Sequence, residues 1–291
     1  MSQNGQGRVA VITGASAGIG KAAAKELAGQ GWRVIGVGRN PQRSEAALAE
    51  IRSAVPSAQV DMVVADLAEL AQAKNAAREI RELTDRIDVL VNNAGGIGKE
   101  VVVTSEGNEA VFAGNHLGPF VLTQELLPLL RAAAKDAPAG SVRVINTASS
   151  AADLSPGLDW ANLQMLDGYE ANSAYCNVKL ANVMFTRSLD ERLAADGIAV
   201  RAVHPGTVAT NFASYGTEEL QAMVATMKDV EVSAEQGADT IVWLATQTQV
   251  PAEPYFHERA PYAVPAFARD DANCARLWAE TETIIARTLA H

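Results

Sequence analysis

A doubly wound α/β fold, a parallel sheet with helices on both faces, is what this sequence predicts, and three observations carry it. Apolar strand-like runs alternate with amphipathic helical ones along the chain. The strand runs are apolar throughout, as strands covered on both faces must be. The 291 residues are 48% hydrophobic and can bury one large core, and no linker, internal repeat or low-complexity tract divides them. A single domain over residues 1–291 is therefore expected.

The elements follow in order. "RVAVITG" leads to a helix over 18–29, "RVIGVGR" to one over 41–54, "VDMVVADL" to one over 68–85, and "IDVLVNNAG" to one over 107–135. "SVRVINTAS" precedes a helix from about 173 to 196, and "IAVRAVHPG" one from about 233 to 246. The Ala-rich patch at 131–139, with its Pro138 stop, reads as a helix end and loop. Two segments interrupt the alternation: 150–172, with Leu154, Trp160, Met165 and Tyr169, and 207–232, with Phe212, Tyr215, Met223 and Met227. Both follow the carboxyl ends of strands, where such sheets bind ligands, so they are expected to form the substrate side.

Composition excludes several classes. Asp and Glu number 34 against 24 Lys and Arg, a balance that argues against binding nucleic acid or an anionic membrane. The N-terminal "MSQNGQGRVAVITG" lacks the features of a secretory signal, and no run reaches membrane-spanning length. A cytoplasmic protein without a membrane anchor is expected. Only Cys176 and Cys274 occur, which gives neither a disulfide framework nor a metal-ligand cluster. His116, His204, His257 and His291 stand apart from one another, so no metal is expected.

The turn "TGASAGIG" joins the first strand to the first helix through Gly14, Gly18 and Gly20. Glycines there permit a tight turn and close approach of a pyrophosphate, whose charge meets unpaired amides at the helix start. The spacing differs from G-x-G-x-x-G, so the turn alone could equally be structural. About twenty residues on, where an acidic residue would bind the ribose of NAD, stands Gly38, followed by Arg39. A guanidinium there suits a 2'-phosphate, so NADP(H) is expected in preference to NAD(H). The other reading of Arg39 is a solvated surface charge, and Ala17 supplies no second cation. Asp66, in "VVADL", could accept from an adenine amine or cap the helix that follows. In "NNAG", residues 92–95, small side chains let the backbone approach a cofactor, while Asn92 and Asn93 could instead satisfy neighbouring main-chain groups.

Tyr175 and Lys179 lie four apart in "AYCNVKLANV", a run free of Pro and Gly. A helix there puts both on one face, with β carbons roughly 6 Å apart. The plain reading is two polar residues sharing a half-exposed face. The chemical one is that the ammonium lowers the phenol from its reference value near 10 toward neutrality, making Tyr175 a general acid and base.

"TGASAGIG", "NNAG", the Asn of "NHLG", the Ser ending "VINTAS", "YCNVK" and "HPGTVAT" occur in that order, and together they resemble the short-chain dehydrogenase/reductase family, which has a Rossmann fold. "NHLGPFVLTQELLPLL", "DWANLQ", "AYCNVKLANVMFTRSL", "PYFHER" and "CARLWAETE" are similar to its retinol dehydrogenase, WW-domain oxidoreductase and protochlorophyllide reductase branch, and the resemblance covers nearly the whole chain.

What the resemblance implies is specific. Tyr175 exchanges a proton with the substrate oxygen, and Ser149 holds that oxygen. Lys179 lowers the phenol pKa and binds the nicotinamide ribose. Asn115 positions Lys179 through a water, its carbonyl freed by a break in the helix. Ser150 is left as a loop or capping residue. Cofactor contacts are implied at Gly14, Ser16, Ala17, Gly18, Ile19, Gly20, Arg39, Asn40, Asp66, Leu67, Asn93, Ala94, Gly95, Tyr175, Lys179, Pro205, Gly206, Val208 and Thr210. The expected activity is hydride transfer between NADP(H) and an alcohol/carbonyl pair on a moderately hydrophobic small molecule, by a dimer or tetramer. Reduction of an activated carbon–carbon double bond is the alternative chemistry. A non-catalytic cofactor-binding interaction protein is the alternative of another class, although a pure binder needs no tuned phenol.

Overall fold

The computed structural model describes residues 7–208, 216–226 and 231–290. Among them eight strands form one sheet: β1 (Val9–Thr13), β2 (Arg33–Gly38), β3 (Gln59–Val64), β4 (Val89–Asn92), β5 (Val142–Thr147), β6 (Ile198–Val203), β7 (Tyr255–His257) and β8 (Ala260–Pro261). Their order is β3-β2-β1-β4-β5-β6-β7-β8, parallel throughout except for the final β7–β8 hairpin. The order reverses between β1 and β4, and that switch point opens a crevice at the carboxyl edge of the sheet.

The helices are α1 (Gly18–Gly29), α2 (Pro41–Ala54), α3 (Leu70–Leu83), α4 (Ala110–Phe112), α5 (Gly118–Ala134), α6 (Ala171–Leu193), α7 (Glu218–Thr226), α8 (Ala234–Thr246) and α9 (Asp271–Leu289). The inner strands β1, β2, β4, β5 and β6 are buried along nearly their whole length because both faces are covered, with Arg143 and Arg201 the buried charges among them, while the edge strand β3 is partly exposed. Val9 and Val11 join a core with residues of α3, α5, α6 and α9, while Ala10 and Ile12 join a second core with α1 and α8. Alternate side chains of one strand thus feed opposite layers. On α1, Ala23, Ala24, Leu27 and Ala28 face inward; the small residues bring the helix close, and burying Leu27 contributes about 2 kcal/mol.

Several expected boundaries are corrected. The helix expected from 107 begins at Ala110, where the Glu109 carboxylate accepts from the Val111 and Phe112 amides and fixes the start. The helix then loosens into a π-helical turn, Ala113–Leu117, in which the Gly118 amide donates to the Ala113 carbonyl. Pro119 is the reason: lacking an N–H, it removes the α-helical donor for the Asn115 carbonyl. The helix expected from 68 begins at Leu70, and the Glu106 carboxylate accepts from the Leu70 and Ala71 amides at 2.5 and 2.8 Å. Asp66 is therefore not its cap.

β7, β8 and α9 have no counterpart among the elements read from sequence. Trp278 of α9 stacks on Phe185 at 5.9 Å, meets Phe120 edge-on at 4.7 Å, and lies 4.0 Å beneath the Arg192 guanidinium. Among the described residues no helix is long and apolar enough to cross a membrane.

Candidate active site

The turn after β1 is held in left-handed backbone at Gly14 (φ 71°) and Gly18 (φ 52°). A β carbon on Gly14 would stand 2.9 Å from Asn93 Nδ2 and one on Gly20 2.5 Å from it, so the turn closes directly onto the end of β4. The Thr13 hydroxyl accepts from the Asn93 and Ala94 amides at 2.9 and 2.8 Å, which locks the two strand ends together. Asn93 spends its side chain on this junction, donating to the Thr13 carbonyl at 3.0 Å and accepting from Thr147 Oγ1 at 3.4 Å, so only its backbone is left to touch a cofactor. Asn92 likewise serves Thr123 and Asn146.

No side chain caps α1: Ala17 stands at its N-cap, beside Ser16, and the first turn carries no acid. Its amides and dipole face the crevice edge, an arrangement that fits a pyrophosphate. Gly38 has no room for an acidic side chain, since a β carbon there would lie 2.6 Å from Ser44 Oγ and 3.1 Å from Ser16. Arg39 is exposed and makes no hydrogen bond or ion pair with described residues, whereas the Asn40 side chain caps α2 by accepting from the Arg43 amide at 2.9 Å. Asp66 accepts from the Ala68 amide at 3.0 Å in a turn that buries Leu67.

On the other side of the crevice, Pro205 leads into Gly206 (φ 86°) and Val208 pairs with Val232. A β carbon on Gly237 would meet both Val208 (2.7 Å) and Ile19 (3.2 Å), so the turn after β6 reaches the glycine turn across α8. Thr210, Phe212, Tyr215, Met227 and the Met223 side chain lie outside the described residues.

α6 carries Tyr175 and Lys179 across the carboxyl edge, capped at its start by Glu170, which accepts from the Asn172 and Ser173 amides. Lys179 is 4% exposed; its ammonium donates to the Thr147 carbonyl at 3.2 Å and lies 5.5 Å from the Tyr175 ring centroid. Burial brings it down to about 8. A β carbon on Gly95 would overlap Asn115 Oδ1 and lie 3.3 Å from Lys179 Nζ, so Asn115, Gly95 and Lys179 converge. The Asn115 amide nitrogen donates to the Gly96 and Val111 carbonyls at 2.9 and 2.8 Å, fixing this side chain in the π turn.

Ser149 leaves β5 in extended backbone and its hydroxyl accepts from the Ala151 amide at 3.2 Å. It is Ser149, not Ser150, that caps the short 3-10 turn Ser150–Leu154. The Ser149 side chain also hydrogen-bonds Tyr175. Burial pushes the Tyr175 phenol well above its ordinary range, and the Ser149 bond pulls it only part of the way back. The expected descent toward neutrality is thus corrected in the free protein, because desolvation of the phenolate outweighs attraction to an ammonium whose own charged form is disfavoured by burial.

All four sequence-expected side chains therefore meet at one place. In the segment 150–172, Gln164 is buried and bonded to Asn108 and the Glu109 amide. Tyr169 donates to the Gly98 carbonyl at 3.3 Å, and burial pushes its phenol up to about 12. Leu154 instead is 76% exposed. Cys176 is half-buried and Cys274 buried, and neither is in a disulfide. Among the described residues no group of three His, Cys, Asp or Glu side chains is placed to hold a metal ion. Sequence reasoning missed Thr13 and Thr147. Thr147 sits two residues before Ser149 in "VINTAS", but nothing in its type announces that its carbonyl receives the ammonium.

The short chain dehydrogenase sequence pattern matches residues 8–221. Mouse "Retinol dehydrogenase 13" is 32% identical over 295 aligned positions, covering 98% of this chain and 86% of the relative. Human "Dehydrogenase/reductase SDR family member 13" is 36% identical, covering 94% of this chain and 72% of the relative. Among solved structures, an uncharacterised protein from Mycobacterium Paratuberculosis superposes with a TM-score of 0.75 at 30% identity, over 97% of this chain and 94% of that one. The Pseudomonas aeruginosa RhlG/NADP active-site complex gives 0.70 at 25%, over 92% and 99%. The chain belongs to the short chain dehydrogenase family, in its retinol dehydrogenase branch, and is an oxidoreductase of that family.

Proposed function

We propose that the protein transfers a hydride between NADP(H) and an alcohol/carbonyl pair on a moderately hydrophobic small molecule. The observation that carries the reading is Lys179: an ammonium held at 4% exposure costs stability and has one acceptor among the described residues, the Thr147 carbonyl, which leaves protons for a ribose and for a relay that Asn115 helps to order. The left-handed glycine turn, the uncapped start of α1 and the space at Gly38 and Gly95 fit a dinucleotide.

When bound, the nicotinamide supplies or accepts the hydride. Tyr175 holds its proton at neutral pH, as its burial requires, and releases it to the carbonyl oxygen during reduction. Ser149, already bonded to Tyr175, turns its hydroxyl toward the same oxygen and stabilises the developing alkoxide. Lys179 returns a proton to Tyr175 and recovers one from solvent through a water that Asn115 would hold. Arg39, exposed and without a hydrogen bond or ion pair among the described residues, pairs with the 2'-phosphate. The names of the retinol dehydrogenase relatives support a hydrophobic alcohol or aldehyde. Cytoplasmic residence and a homo-oligomeric state belong to the same proposal, and cell fractionation and sedimentation test them.

The decisive experiment screens alcohols, aldehydes, ketones and enones by nicotinamide absorbance with both cofactors. Carbonyl turnover by the wild type, and a Tyr175→Phe variant that binds NADPH yet loses at least 1,000-fold in kcat, about 4 kcal/mol of barrier, is the expected result. An equally active variant overturns the catalytic assignment, and turnover of enones alone overturns the carbonyl chemistry.

A further inference from the structure

The helical stretch that carries Asn115 starts on a long, buried acid. Its cap is Glu109, 1% exposed, where a shorter Ser, Asn or Asp is the usual choice. Burial pushes the Glu109 carboxyl up, so its charge stands against a desolvation cost that its hydrogen bonds only partly offset. Those bonds are short and run from the Val111 amide to Oε1 at 2.8 Å and from the Phe112 amide to Oε2 at 2.6 Å. What they hold gives the acid a purpose.

The Asn115 side chain donates to the Val111 carbonyl at 2.8 Å. That carbonyl and the Phe112 amide belong to one planar peptide unit, so Glu109 grips one end of the plane and Asn115 hangs from the other. Asn115 is fixed a second time at Gly96, donating to its carbonyl at 2.9 Å and accepting from its amide at 3.2 Å. Behind the cap, the Glu109 amide donates to Gln164 Oε1 at 2.9 Å, and Gln164 Nε2 donates to Asn108 Oδ1 at 3.3 Å. Asn108 in turn donates to Thr288 Oγ1 of α9 at 3.1 Å. Gln164 is 7% exposed and lies in the substrate-side segment 150–172. Hydrogen bonds thus connect that segment, through Glu109 and a single peptide plane, to Asn115.

We propose that Glu109 is a positioning residue for the reaction: its carboxylate, braced by Gln164, fixes the Val111–Phe112 peptide so that the Asn115 side chain stays beside Gly95 and Lys179. The inference rests on the reading of Asn115 and Lys179 as parts of a proton relay. No bond is made or broken at Glu109; both of its oxygens remain acceptors from the backbone.

The test is Glu109→Gln, which keeps the size of the side chain but sets a donor against one of the two amides. It is measured with NADPH and the aldehyde or ketone that the wild type reduces fastest in the panel. Expected are a fall of about tenfold in kcat with KM for NADPH unchanged, and a larger solvent isotope effect on kcat, because return of the proton becomes slow. Glu109→Asp, whose carboxylate can still cap the turn, should restore most of the lost kcat. Gln164→Met removes the brace and leaves the carboxylate; it should shift kcat and the isotope effect the same way by less, and it decides the matter if Glu109→Gln does not fold. A purely structural role would lower Tm and leave both kinetic readouts at their wild-type values in the folded variant, and that result overturns the proposal. Asn115→Ala separates the two claims. If it slows turnover while Glu109→Gln and Gln164→Met match the wild type, only the Glu109 proposal fails; if Asn115→Ala is itself unaffected, the relay reading fails and takes the proposal with it.

Discussion

Lys179 donates its ammonium to the Thr147 carbonyl, 3.2 Å away, and lies 5.5 Å from the centroid of the Tyr175 ring, with which it shares a helix face. The lysine is a buried charge bound to the sheet, and the phenol is tuned chiefly by desolvation and by Ser149.

Removing that charge should stabilise the free protein. A lysine lowered from 10.5 to about 8 is worth on the order of 3 kcal/mol against the folded state below pH 8, where both states are protonated. Between pH 8 and 10.5 the unfolded chain binds the extra proton, so the penalty fades as pH rises. Lys179→Met should therefore raise Tm at pH 7 and converge on the wild type near pH 10, while turnover is lost. Denaturation across that range checks the sign.

Arg39→Glu should weaken NADPH at least tenfold, about 1.4 kcal/mol, and leave NADH nearly unchanged or improved, because the guanidinium has no partner to lose among the described residues. An unaltered ratio of the two affinities in fluorescence titration removes Arg39 from the 2'-phosphate.

Gly95→Ala should cost turnover far more than stability. The added methyl overlaps Asn115 Oδ1 and crowds Lys179, so those two groups must separate. Loss of at least 100-fold in kcat with a Tm shift under about 5 °C is expected.

His116 and His204 are both held near 4 by burial, His204 also by its stacked neighbour His257 at 4.3 Å. Unfolding lets each bind a proton near 6.5, so stability is complete above pH 6.5 and falls as pH drops toward 4. His116→Gln should flatten that fall relative to its own value at pH 7, as read by urea denaturation at stepped pH.

Most of the sheet was legible in the sequence, because strands buried on both faces announce themselves as continuous apolar runs. β7 was not: three residues after Pro254 carry no periodicity, and their place is set by pairing to β6. The site was legible as an ordered set of motifs, and its convergence follows from β4, β5 and α6 ending at one edge. The tuning of Tyr175 was not legible, because spacing gives the distance between two groups but not the water removed from around them. Asn93 was legible in one of its two readings, the satisfaction of a neighbouring main-chain group, since its side chain donates to the Thr13 carbonyl.

The β7 pairing also governs how the protein is made. β6 completes its outer hydrogen bonds only when Ala202 and His204 donate to the Pro254 and Phe256 carbonyls, some fifty residues downstream. During synthesis the nucleotide half can close first, while the open edge of β6 waits in the ribosome's vicinity as a template for stray strands. A hairpin made well after β6 is thus the part that covers this edge of the sheet against its neighbours in the cell.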